Sequence, residues 1–420
     1  MTRRQLAGLL ITIVGLASIA VATLTPVSGN SEHSPWWCVT CGSIAMADAI
    51  VNVALFIPAG VGLALISRRT IGSIVLLALA SVAVEISQAL VVAGRDTALR
   101  DVLANTAGAV VGVEIVRQWR QWLVPAPTRA ARLALAAAVA WAVTLGATLM
   151  LLRASTPPEG YWGQRGTAPE FSGHVVHVAV NSAVVPLGSF LDPRPVLAAL
   201  NSDDARVEVV FVPGVPTGES EPIARVSNPQ TEAFRLSQRG HDLLFSVRTR
   251  SSDIGLRSPI VRLAGAIVAS ADGDGPAADT VAVLGRLHRG ILSLDRHGER
   301  PSHVALRITP TTGWVYFAPT AITTRVASWI IDGLWVAALL CPVGYWGAAA
   351  LSGGRGQQPR ERGRWLLPTI GLAIVLPLAL VARVSGAPPA AWTTWCFAVA
   401  GLLIGVLALR LVRDAVRNPG

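Results

Sequence analysis

The sequence contains no lysine: all 35 of its basic residues are arginine. We ascribe this to genome composition, and it carries no mechanism. Charge is scarce altogether. Only 14% of residues are charged and 52% are hydrophobic, with mean hydropathy +0.52, whereas an ordinary soluble domain is about 25% charged. One conventional soluble fold over 420 residues is therefore not forced, and a membrane part with an attached domain fits better. The formal charge of +10 does not indicate a nucleic-acid partner. Residues 153–325 hold about 17 arginines against about 16 acids, so the excess lies with the apolar segments.

What is present is a series of apolar runs. They fall at about 6–24, 44–66, 71–92, 101–116, 133–152, 326–350, 366–384 and 392–410, which predicts about eight transmembrane helices. The first run also has the length of a signal peptide, although the further runs behind it favour an anchor. With the N-terminus cytoplasmic, the cytoplasmic segments collect about 15 arginines. The short opposite loops collect about three, namely Arg95, Arg100 and Arg383. The expected product is a polytopic membrane protein with both termini cytoplasmic. Its parts are a membrane domain at 1–152, an extracytoplasmic all-β domain at 153–322 and a second membrane domain at 323–420.

Lipid should exclude acids and amides, yet three runs carry them in pairs. Asp48 and Asn52 lie four apart, Glu85 and Gln88 three apart, and Asp101 and Asn105 four apart. Such spacings place each pair on one helix face. In the expected topology all six lie within the outer leaflet, beneath a short loop carrying Arg95. Groups of this kind cost several kcal/mol each when buried alone, so they should face one another. A polar pocket open to the outside is the economical expectation. Its alternative is a purely structural set of interhelical hydrogen bonds.

At these residues the chain resembles a known family. The pattern D-x3-N-x2-LF-x-P-x-G, then E-x2-Q, then G-R-D-x4-D-x3-N-x-x-G is similar to the VanZ-like membrane family. It is carried by Asp48, Asn52, Phe56, Pro58, Gly60, Glu85, Gln88, Arg95, Asp101, Asn105 and Gly108, within about residues 6–117. The resemblance implies an integral protein of the bacterial envelope, and some family members are linked to resistance to the glycopeptide teicoplanin. It implies no settled reaction.

Three functions follow. The first is binding of a cell-wall glycan or lipid-linked precursor without catalysis. The second is intramembrane acid–base chemistry by Asp48, Glu85 and Asp101, with burial raising one acid while Arg95 holds another ionised. The third is ion-coupled transport, which the absence of an inverted repeat disfavours. No nucleophile with a paired base accompanies the cluster.

Of the four cysteines, Cys38 and Cys41 form a C-x-x-C pair in the first outer loop. A disulfide above the pocket is the favoured reading outside the cytoplasm, ahead of a metal site or a redox pair. Cys341 and Cys396 are expected to be inert core residues.

The region 153–322 reads as strands. Expected are Gly173 to Val180, Val207 to Val212, a hairpin of Phe234–Gln238 with Leu243–Arg250, Thr280 to Leu284, Gly290 to Asp295, His303 to Thr309 and Trp314 to Phe317. Many short strands suggest a jelly-roll sandwich. Through the run FVPGVPTGESEPIARVSN and then FRLSQRGHDLLFSVRTR, residues 160–318 resemble concanavalin A-like, laminin-G-type domains, which implies carbohydrate binding; Trp162, Trp314 and Tyr316 are candidates for stacking on sugar rings or, equally, for core packing. No E-x-D-x-x-E motif supports glycosidase activity. Asp272, Asp274 and Asp279 are weak candidates for calcium; no other cofactor is expected.

Overall fold

In the computed structural model the described residues are 2–24, 35–39, 42, 44–67, 69–92, 97–156, 162–165, 170–186, 188–189, 192, 194–202, 204–227, 231–267, 280–298, 300–318, 326–352 and 377–417. Arg95, Cys41, Asp272, Asp274 and Asp279 lie outside them, as do the side chain of Trp162 and most of the seventh expected span. The chain divides into two compact units, residues 1–126 with 409–420, and residues 127–408.

In the first unit α1 (Arg3–Leu24), α2 (Ala45–Ile66), α3 (Thr70–Val91) and α4 (Leu99–Arg117) are followed by the short α5 (Trp119–Leu123). They share a core of Ile19, Phe56, Ala59, Leu77 and Ala109. Small residues set the spacing between helices, as expected where lipid gives no hydrophobic drive to association. A side chain on Gly60 would meet the Ala109 carbonyl oxygen at 2.6 Å, and one on Gly15 would meet the Ala59 nitrogen at 2.9 Å. Gly108 likewise faces the Val53 carbonyl oxygen of α2. On α3 the buried face is Ser73, Leu77, Ser81, Glu85 and Gln88, while Ile71, Leu79 and Leu90 point outward and are 77%, 62% and 77% exposed. A helix with its polar stripe inward and its apolar face outward suits lipid.

The second unit begins with α6 (Pro127–Leu151), six residues earlier than the expected 133 because Pro127 suits a first helical turn. It also holds α8 (Ser328–Leu351), α9 (377–385) and the part of α10 (Trp392–Arg417) up to residue 408. Trp141 and Leu145 of α6 pack with Val336, Leu340 and Val343 of α8, Leu378 of α9, and Ala398 and Leu402 of α10.

Among the described residues six helices are long and apolar enough to cross a membrane: α1, α2, α3, α6, α8 and α10. The expected fourth span forms as α4, but its 19 residues include Arg100, Asp101, Glu114 and Arg117, too many charges for that company.

Between α6 and α8 lies an antiparallel β-sandwich of two six-stranded sheets. One has the order β4 (Gly188–Ser189), β1 (Trp162–Arg165), β6 (Ser220–Ser227), β7 (Glu232–Arg239), β8 (Asp242–Val247), β9 (Ile260–Leu263). The other has β12 (Ser302–Arg307), β11 (Ile291–His297), β10 (Val281–His288), β5 (Asp204–Val212), β2 (His174–Val180), β3 (Ala183–Val184). Among the described residues one α-helix, α7 (Arg194–Leu200), interrupts them.

Alternation fixes the faces. In β5, Ala205, Val207, Val209 and Phe211 are buried while Arg206 and Glu208 are exposed. The expected hairpin turns at Gly240 with φ +59, the left-handed backbone that favours glycine. The two sheets meet closely where the Phe245 ring of β8 covers Gly285 of β10.

One expected strand is corrected. Residues Thr312–Tyr316 form a 3-10 turn, with Trp314 and Tyr316 only 4% and 5% exposed. Both rings are packed inside and do not stack on a sugar.

Candidate functional site

The buried polar groups of the first unit are placed by helices that expose apolar faces elsewhere. Glu85, Gln88 and Asn105 are 8%, 6% and 2% exposed. Each makes a bond between segments. The Ala98 backbone N–H donates to Glu85 Oε2 at 3.0 Å. Gln88 Nε2 donates to the Thr23 carbonyl of α1 at 2.9 Å, and Asn105 Nδ2 donates to Ser81 Oγ of α3 at 2.8 Å.

Ala98 is the N-cap residue of α4 and has no side-chain cap of its own. The Glu85 carboxylate therefore serves that helix start from a neighbouring helix, at the positive end of its dipole. Asp101 stands in the same first turn. The Leu99 N–H donates to the Trp36 carbonyl at 2.7 Å, tying the first outer loop to this point.

Asp101 accepts from Arg100 Nε at 3.3 Å, with the two side chains 19% and 15% exposed. Its other polar neighbours are Asp48 and Asn52 of α2. Two atoms in the cluster, Gln88 Oε1 and Asn105 Oδ1, are buried without a hydrogen-bond partner. Such atoms carry a desolvation cost that a ligand or water would relieve.

Beside this cluster an open pocket of about 370 Å³ runs between α2 and α4. It is lined by Val39, Met46, Ala49, Ile50, Val53, Leu103, Ala104 and Arg100. Arg100 thus touches both the pocket and Asp101. Of the expected site residues that are described, Glu85, Gln88 and Asn105 lie in the interhelical seams, and none of the six lines this pocket. Arg100, Ser81 and Thr23 were not singled out from sequence. Ser81 was findable, since it precedes Glu85 by one helical repeat on the same face; the Thr23 carbonyl leaves no trace in sequence.

Cys38 is disulfide-bonded, flanked by Trp36 and Trp37 at 65% and 62% exposure. Cys341 and Cys396 are free thiols. Cys396 is exposed on the face of α10, not in the core as expected, because Thr394 and Ala398 take the buried positions around it. No group of three or more His, Cys, Asp or Glu suited to a metal occurs among the described residues.

A second buried acid lies in the other unit. Asp332 Oδ2 accepts from Thr311 Oγ1 at 3.1 Å and from Thr394 Oγ1 at 2.8 Å. Tyr316 O–H donates to the Thr148 carbonyl at 2.8 Å; burial there pushes the phenol well above its ordinary range.

Residues 10–123 match the VanZ/LLP1 family. That stretch holds most of α1, all of α2 to α5 and every polar group of the first cluster. No curated protein and no solved structure matches the chain. With six apolar helices among the described residues, the chain is a multi-pass membrane protein that carries a VanZ-like segment and a β-sandwich.

Proposed function

We propose that the VanZ-like helices bind a lipid-linked ligand of the bacterial envelope in the outer leaflet and do not react on it. The observation that carries this reading is the pocket between α2 and α4, seven of whose eight lining residues are apolar and whose eighth is Arg100. An acyl chain fits the apolar wall, and an anionic headgroup is complementary to Arg100. Exposed Trp36 and Trp37 suit the membrane–water interface. The described bonds of Glu85, Gln88 and Asn105 hold helices in place, which supports a binding site more than an acid–base centre.

In this proposal the termini are cytoplasmic, and the sandwich faces outward as a glycan-binding partner of the concanavalin A-like kind. Glycopeptide resistance, teicoplanin included, is the phenotype to examine. One observation favours a catalytic alternative: Asp48 and Asp101 are close enough to interact, as paired acids in acid–base sites do.

The test is lipid retention by purified protein, read by native mass spectrometry, alongside glycopeptide susceptibility of a complemented deletion strain. Filling the pocket with Leu103→Trp, or removing its charge with Arg100→Gln, should strip the bound lipid and abolish complementation. Retention equal to wild type in both variants sinks the proposal. Loss of complementation in Asp48→Asn with lipid retained would favour the catalytic reading.

A further inference from the structure

The outward face of the sheet containing β5, β10 and β11 carries an arrangement that packing does not require. Cross-strand register sets Arg206 opposite Arg286, and Arg286 opposite Ser293. The next row sets Asp204 opposite His288, and His288 opposite Ile291. Residues directly opposite in a ladder point to the same face, and like charges so placed destabilise the pair. These six residues line a cleft of about 270 Å³.

The charges within it do not balance. Asp204 is shared, meeting Arg206 Nη2 at 3.2 Å and His288 Nδ1 at 3.2 Å. Arg286 is left over: it forms no ion pair among the described residues, and its Nε is buried with no partner. Arg257, which has an interaction elsewhere, also buries an unpartnered Nε, and so do Arg235, Arg248 and Arg296. Each of the last three, however, bonds through a terminal nitrogen, to Glu232, Asp253 and the Arg300 carbonyl respectively. Arg286 has no such bond, so its two terminal guanidinium nitrogens are left for the cleft.

We propose that this cleft is an oxyanion site, taking a carboxylate or phosphate group on the fork of Arg286, with Ser293 and His288 beside it. A bound anion offsets the like charges of Arg206 and Arg286 and gives the terminal nitrogens of Arg286 a charged acceptor. The site is separate from the pocket of the VanZ-like helices and stands whether or not that pocket binds lipid.

The test uses the full chain in nanodiscs of zwitterionic lipid, titrated by calorimetry at low ionic strength. Inorganic phosphate and glucuronate are the probes, and glucose is the neutral control. Saturable binding of one or both anions is expected, and which one binds separates a phosphate-bearing ligand from an acidic sugar. Arg286→Gln should weaken binding by about tenfold or more, and Arg286→Lys by less, since a point charge lacks the fork. Arg239→Gln, in the other sheet, should bind as wild type. Arg286→Gln should also melt no lower than wild type without ligand, because it relieves a like-charge contact. Absence of binding by both anions, binding unchanged in Arg286→Gln, equal binding of glucose, or a lower melting point of that variant overturns the proposal.

Discussion

The α1–α4 helices and the β-sandwich handle polar groups in opposite ways. In the helices Glu85, Gln88 and Asn105 turn inward and each finds one partner on another segment, while Leu90 and Val91 are 77% and 82% exposed. In the sandwich Phe211, Phe234 and Phe245 turn inward, and charges pair on the surface, as Asp242 with Arg262 and Asp253 with Arg248 do. The same side-chain chemistry thus supplies the seams of one region and the rim of the other. The surrounding medium decides which, since an unpartnered polar group is costly only where water cannot reach it.

That contrast can be broken by substitution. The largest effect should come from Phe245→Ala, which empties the space over Gly285. A loss of about 4 kcal/mol is expected in the sandwich, read by denaturant unfolding. Protease resistance of α1–α4 should not change; a fall there would show that the two regions are coupled. Gly108→Leu should do the reverse. It drives a side chain into the Val53 carbonyl of α2 and should cost about 3 kcal/mol, seen as a lower melting temperature in detergent with the sandwich intact.

Asp332→Leu strands the Thr311 and Thr394 hydroxyls and should cost about 2 kcal/mol. Asp332→Asn, which keeps an acceptor, should recover most of that; equal damage from both would show that charge and not hydrogen bonding matters there. Ser81→Ala leaves Asn105 Nδ2 without its partner and should cost only about 0.6 kcal/mol in a thermal melt.

The smallest effect belongs to the surface. The Arg206 guanidinium hydrogen-bonded to Asp204 holds that carboxyl below its ordinary range. The linked stabilisation is present at neutral pH and fades as pH falls through the lowered value. Arg206→Gln should raise the Asp204 titration midpoint by NMR and leave the melting temperature at pH 7 unchanged within error.

The sequence made the spans legible, because apolar runs of about twenty residues have few other uses. The strands of β2, β5, β7, β8, β10, β11 and β12 were legible through alternation and a glycine turn. Trp314 to Phe317 was not, since a short aromatic run reads alike as strand or as a buried turn. Nor was Ser220–Ser227, where Pro222 argues against a strand; the ladder shifts register beside it to accommodate the missing N–H. In the candidate site the spacing of Asp48, Asn52, Glu85, Gln88, Asp101 and Asn105 identified which faces are buried. It did not identify partners. A backbone N–H at Ala98 or a carbonyl at Thr23 has no signature in side chains, and the apolar pocket beside Arg100 is made of residues that look like any lipid-facing wall.

The route by which the chain enters and leaves the sandwich has a consequence for modularity. α6 and α8 share a core, Tyr316 is tethered to Thr148, and the residues just past α6 hydrogen-bond to the domain itself, Ser155 to Arg248 and Arg250 to Arg153. Entry and exit are therefore side by side, like the two leads of a plug. A helical hairpin with such a socket can gain or lose the whole insert through a short graft, without retraining the helices on either side.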